Sequence, residues 1–204
     1  MCTDPVLLVD TDIVSMMGRI KPPAGLRPWL LRIGIKRLAI SYPVLTELLR
    51  GAHLREADDP EWARAILSWV DEIREMDFHY PAMNPTVATI YGRMTSVPAL
   101  KHMWTVQARQ KKNRLGHDLS IAAVAIAHRM PVLTANHDDF LKIHQHFVLP
   151  GGIFNPFKNR WFVKPGFEVP LPEFDATEPD AAGDAVILPR LTRTPLSTPP
   201  APSV

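Results

Sequence analysis

Four short stretches carry residues that can do chemistry together. "VLLVDTDIV" ends an apolar run with Asp10 and Asp12, and "YPVLTELLRG" sets Glu47 beside the apolar pairs Val44/Leu48 and Leu45/Leu49. "GHDLSIAAVAIAHR" opens on Asp118, and "VLTANHDDF" follows an apolar run with Asn136, Asp138 and Asp139. Acids at the end of a hydrophobic strand have two readings. An aspartate there can cap the next helix, accepting from its free N–H groups and suiting its dipole. Alternatively, acids gathered at the carboxyl edge of a parallel sheet form a cation site, because that edge is where such folds bind ligands.

The elements that must position these residues alternate. Apolar, β-branched runs predict strands at 6–9, 38–41, 76–78 and 131–134. Helical spacing predicts helices at 13–17, 43–50 (ended by Gly51), 60–74, 85–94, 119–129 and 138–144. Trp62, Ile66, Trp69 and Val70 form the apolar stripe of the 60–74 helix, so its tryptophans are expected in the core. Residues 21–37 read as loop with a helical turn at "PWLLRIG". This order predicts an α/β fold, a three-layer α/β/α sandwich around a mostly parallel central sheet, plus an irregular C-terminal tail.

Composition bounds the class. With 204 residues and 46% hydrophobic content the chain can bury a real core. Cys2 is the single cysteine, which excludes an intrachain disulfide. The first apolar run is four residues long and "IAAVAIA" is too short for a span, so a cytoplasmic protein without membrane contact is expected. The net charge of +2 is uneven: residues 165–204 carry −4, leaving +6 on the rest. Residues 13–46 and 78–117 contain no acid and six basic residues each. Such segments suit a polyanion such as nucleic acid, or are an ordinary solvated face. From Pro165 the chain has nine prolines and no periodicity, and we expect it to be dispensable for folding, lying over the basic face.

Taken in order, Asp10, "LTELLRG" with Glu47, "HDLSIAAVAIAH" with Asp118, and "VLTANHDDF" resemble a PIN-domain ribonuclease, most nearly a VapC-type toxin of a bacterial toxin–antitoxin pair. The resemblance covers residues 6–150. It implies a nuclease domain at 1–150 with an extension at 151–204, and a Mg²⁺- or Mn²⁺-dependent endoribonuclease. Carried over, Asp10, Glu47 and Asp118 hold the metal, and Asn136 falls at a fourth catalytic position that is often Asp. Asp12 stands where relatives often have Asn, and Asp139 either adds a metal contact through water or caps the next helix. Thr11 and Thr134 are candidate hydroxyl donors near the site. RNA as substrate, a cognate antitoxin and a homodimer are the implied partners. The chemistry agrees, since Mg²⁺ prefers oxygen, keeps several waters and bridges carboxylates to phosphates.

Two other functions compete. "LLVDTDIV" also fits the start of a haloacid-dehalogenase-like phosphatase using Asp10 and Asp12, though no well-placed lysine precedes Asp138–Asp139. A catalytically inactive PIN fold that only binds RNA or a partner is the non-enzymatic reading. Zinc is not expected, because His144-x-His146 on a strand would lack a third ligand at convincing spacing.

Overall fold

The computed structural model describes residues 4–104, 117–181 and 188–191. A five-stranded sheet runs through it in the order β2-β1-β3-β4-β5. The strands are β1 (Leu7–Val9), β2 (Leu38–Ala39), β3 (Val132–Leu133), β4 (Ile153–Asn155) and β5 (Arg160–Val163). The first four are mutually parallel, and β5 closes one edge antiparallel to β4. All residues of β1 to β4 are buried, as expected of parallel strands covered on both faces. Their carboxyl ends therefore share one edge, and the expected α/β sandwich is what forms.

Among the described residues seven α-helices flank the sheet: α1 (Thr11–Met17), α2 (Leu26–Ile33), α3 (Tyr42–His53), α4 (Pro60–Arg74), α5 (Pro85–Thr95), α6 (His117–His128) and α7 (His137–His144). Local chemistry sets their starts. Asp59 accepts from Trp62 N at 3.0 Å to open α4, and Asn84 accepts from Val87 N at 3.0 Å to open α5. α6 is buried from Leu119 to Ala125 apart from Ser120, and packs on α3, α5 and α7, which holds Asp118 in its first turn against the sheet edge.

Some boundaries differ from expectation. α3 continues through Gly51, because a helix tolerates a single glycine and nothing there requires a stop. The strand expected at 76–78 is an isolated bridge between His79 and Ala39. His144 lies in α7, not on a strand, and its Nδ1 accepts from Leu149 N at 3.1 Å. The basic run from Arg109 to Arg114 lies outside the described residues. No described helix is long and apolar enough to cross a membrane.

The C-terminal region departs most. β4 and β5 lie beyond residue 150, so the extension supplies one edge of the sheet. Residues 164–181 have no regular element, yet they pack over α2. Trp29 Nε1 donates to Pro172 O at 2.8 Å, and its ring stacks on Phe154 and meets Phe174 edge-on. Fully buried Arg27 pairs with Asp180 at 3.3 Å and donates to Met17 O and Leu188 O. Trp69 Nε1 donates to Pro189 O at 2.9 Å, Leu191 N donates to Gly18 O at 2.9 Å, and Leu188 is fully buried. Gly25 is required here: its φ is +77°, and a Cβ would sit 1.9 Å from Asp175 O. The described part of the tail thus adds residues to the core, where an irregular segment without core contacts was expected. It docks through carbonyls that satisfy Trp and Arg donors, a mode with no periodicity to read.

The tail does lie over basic residues. Arg27 and Arg32 meet Asp180 and Glu178, while Arg37 pairs with Asp4 and Lys36 with Asp77. Four of the six basic residues in 13–46 thus have an acid of the chain nearby, although Lys36 and Asp77 both stand in solvent.

Candidate active site

β1 ends in Asp10, which is 5% exposed and serves as the N-cap of α1. Its two oxygens are each held: Oδ1 accepts from Thr11 N at 2.7 Å, and Oδ2 accepts from the Thr134 hydroxyl at 2.7 Å. Burial pushes its carboxyl well above the ordinary aspartate value, and the nearby Asp12 and Asp118 push it further; the two donors only partly oppose this. Asp118, 108 positions further along the chain, is thus near enough for its charge to act on the Asp10 carboxyl.

Glu47 projects from α3 and is exposed. Thr11 Oγ1 donates to its Oε2 at 2.7 Å, so the residue after Asp10 fixes the glutamate to the same edge. Both expected hydroxyl donors, Thr11 and Thr134, thus hold a carboxylate. His117 is a further candidate beside this set that the acidic motifs do not single out. It opens α6 beside Glu47 and Arg50; burial lowers its pKa, Glu47 opposes that and Arg50 adds to it. Its position directly before Asp118 is the only signal the sequence offers.

Asp12 has a different task from a cap. Its Oδ2 accepts from Ala135 N and Asn136 N, each at 2.9 Å, and so ties the β1–α1 turn to the β3–α7 turn. Burial raises its pKa, and these amide donors oppose the rise. Asp12→Ala should lower stability in urea unfolding by about 1–3 kcal/mol, because two backbone N–H groups lose their acceptor. Asp12→Asn keeps an acceptor oxygen and should lose less; equal losses for the two variants would show that the bridge contributes nothing.

The fourth position is built less directly. Asn136 is the N-cap of α7 but makes no side-chain cap bond; its Nδ2 donates to Asp139 Oδ2 at 2.9 Å. Asp139 Oδ1 pairs with Lys142 at 2.8 Å. Asn136 rather than Asp139 is the N-cap of the helix, and the two Asp139 oxygens meet Asn136 and Lys142. Below this turn, Asn155 Nδ2 donates to Ala135 O at 2.9 Å and lies 3.2 Å from His137 Nδ1, bracing the loop from β4.

Does this set suit a cation? Asp12 Oδ1 is buried without a hydrogen-bond partner, beside a carboxyl already crowded by two like charges. That is the environment a divalent ion relieves. Among the described residues no group of three or more His, Cys, Asp or Glu side chains is drawn together closely enough to hold a metal ion. Carboxylates without His or Cys partners would suit a hard, oxygen-preferring ion that keeps most of its water, not a zinc cage. The phosphatase reading would leave Glu47, which Thr11 fixes to the same edge, without a role.

No protein-family model matches the chain, and no curated protein matches its sequence. Solved structures do match. FitAcB from Neisseria gonorrhoeae, at 21% identity and a TM-score of 0.50, aligns over 74% of this chain and 99% of its own. DNA-bound VapBC from Salmonella typhimurium, also at 21% identity and a TM-score of 0.50, aligns over 74% of this chain and 98% of its own. At this identity the likeness is one of fold. The chain thus shares its fold with chains of these two complexes, and its mostly parallel α/β sheet is the one the sequence led us to expect.

Proposed function

We propose that the chain is a Mg²⁺- or Mn²⁺-dependent endoribonuclease and the toxin half of a toxin–antitoxin pair. The observation that supports this most is the buried Asp10 carboxyl, crowded by Asp12 and Asp118 at the carboxyl edge of a PIN-type sheet. Asp10 and Asp118 would hold the metal, with Glu47 from α3 on its solvent side. When bound, the ion supplies a more acidic water and charge stabilisation on the reacting phosphate.

The remaining work falls to the chain. Thr134 and Thr11 aim the Asp10 oxygens, so that they need no rearrangement when RNA arrives. Glu47 is exposed and fixed through Thr11, and can accept a proton from the attacking water. Asp12 keeps the β3–α7 turn in place, and the Asn136–Asp139–Lys142 chain of contacts forms the outer rim.

In the cell the reading has a plain test. Induced expression of the full chain should arrest growth of a bacterial host, and Asp10→Asn expression at equal level should not. A small protein encoded beside it should copurify with it and relieve the arrest. Harmless overexpression with no such neighbour would remove the toxin assignment, and the nuclease assignment would then rest on cleavage alone.

A further inference from the structure

A cleft of about 420 Å³ leads away from the acidic site between α1, α3 and α4. Thr11 and Glu47 stand in its wall, and so do Arg19, Arg50 and Arg55. Half-buried Trp62 and Ile66, with Trp69, line the α4 side. The tail completes the enclosure: Leu191, held to Gly18 by its backbone N–H, is part of the lining.

Of the twelve arginines among the described residues, five pair with acids and seven do not, and three of those seven share this cleft. Arg27, Arg32, Arg37, Arg74 and Arg190 are all paired with acids of the chain. Arg19, Arg50 and Arg55 have no ion pair or side-chain hydrogen bond among the described residues. Arg19 and Arg55 are exposed, and Arg50 is half-buried. Three guanidinium groups left unpaired along one cleft, with Glu47 as the one acid in its lining, fit a row of phosphates. A tryptophan face beside them suits an unstacked base better than a paired one.

We propose that this cleft is the path of a single RNA strand leaving the scissile phosphate, with Arg19, Arg50 and Arg55 as positioning residues for its backbone. The proposal rests on the ribonuclease reading above and goes beyond it in assigning a single strand and its direction of exit. It also gives the C-terminal segment a second role, since Leu191 forms part of the wall.

The test uses the full-length chain in EDTA, where a labelled single-stranded RNA is bound without being cut, and fluorescence anisotropy at several salt concentrations. Arg19→Gln/Arg50→Gln/Arg55→Gln should weaken binding at least tenfold at low salt. If all three meet phosphates, the slope of log affinity against log salt should shrink by about 2, given about 0.7 per phosphate on a single strand. Arg74→Gln, on a charge already paired with Asp71, should change neither quantity. With Mg²⁺, the triple variant should show raised KM and nearly unchanged kcat. An unchanged affinity and slope would overturn the strand path while leaving cleavage, and hence the ribonuclease reading, intact. A duplex RNA bound as tightly as the single strand would overturn it too. So would a triple variant that binds RNA normally but no longer binds a copurifying protein. Wild-type protein that neither binds nor cuts RNA would overturn both readings together.

Discussion

Deleting residues 165–204 should leave a chain that does not reach a stable fold at 37 °C. The deletion removes Leu188 and Leu191 from the core, strips Phe174 from Trp29 and the Pro189 carbonyl from Trp69, and takes away Val169 and Leu171, which pack against the same core. Each fully buried leucine is worth about 1.5–3 kcal/mol. A domain of this kind has only about 5–15 kcal/mol in total. A point variant isolates the polar part. Asp180 pairs with buried Arg27 and with Arg190, so Asp180→Ala leaves a guanidinium charge inside the protein with its carboxylate gone. We expect a loss of about 3–5 kcal/mol, the cost typical of breaking a buried pair. Chemical denaturation of both variants measures this; a truncated chain with an unchanged midpoint would show that the tail contacts carry no energy.

Replacing Asp10 by asparagine should cut RNA cleavage by more than about 100-fold, since even outer contacts to a metal ligand are worth about 10–100-fold. Stability should move the other way in the absence of metal. The Asp10 carboxyl is raised in the folded protein, so the folded state holds its proton more tightly than the unfolded chain does. Its contribution to stability is therefore fully present below the ordinary aspartate value of about 3.9 and is lost as pH rises through the raised folded value. An amide in place of the carboxyl has no such titration. In EDTA the variant should match wild type at low pH and be as stable or more stable at pH 7. Added Mg²⁺ should raise the melting temperature of wild type more than that of the variant, because a ligand stabilises what it binds. Melting curves across pH, with and without Mg²⁺, check both statements; a variant that is less stable at pH 7 in EDTA would contradict the burial argument.

Much of this site is legible in the sequence because its acids sit at element ends. The apolar runs before Asp10 and Asn136 become parallel neighbours, and parallel strands bring their carboxyl ends to one edge. The 60–74 helix forms over the residues its spacing predicts, with Asp59 as its cap and Pro60 in its first turn. α2 reads only as a turn because Pro28 looks like a breaker, although the first turn of a helix tolerates proline. β4 and β5 are three and four residues long between Pro and Gly, too short for alternation to register. Asp12 looks like a cap because its real partners, the N–H groups of Ala135 and Asn136, are 123 and 124 positions away. Nor can any local pattern show that Pro172, Leu188 and Pro189 offer carbonyls to Trp29, Arg27 and Trp69.

The central claim is that Asp10 and Asp118, with Glu47, make a metal-dependent nuclease centre. Its most direct measurement is cleavage of single-stranded and structured RNAs by purified wild-type and Asp118→Ala protein, each with Mg²⁺, Mn²⁺ or EDTA. The account predicts cutting by wild type with either metal, none in EDTA, and loss of cutting in a folded Asp118→Ala variant. Cleavage that persists in EDTA, or that survives the loss of Asp118, would contradict it.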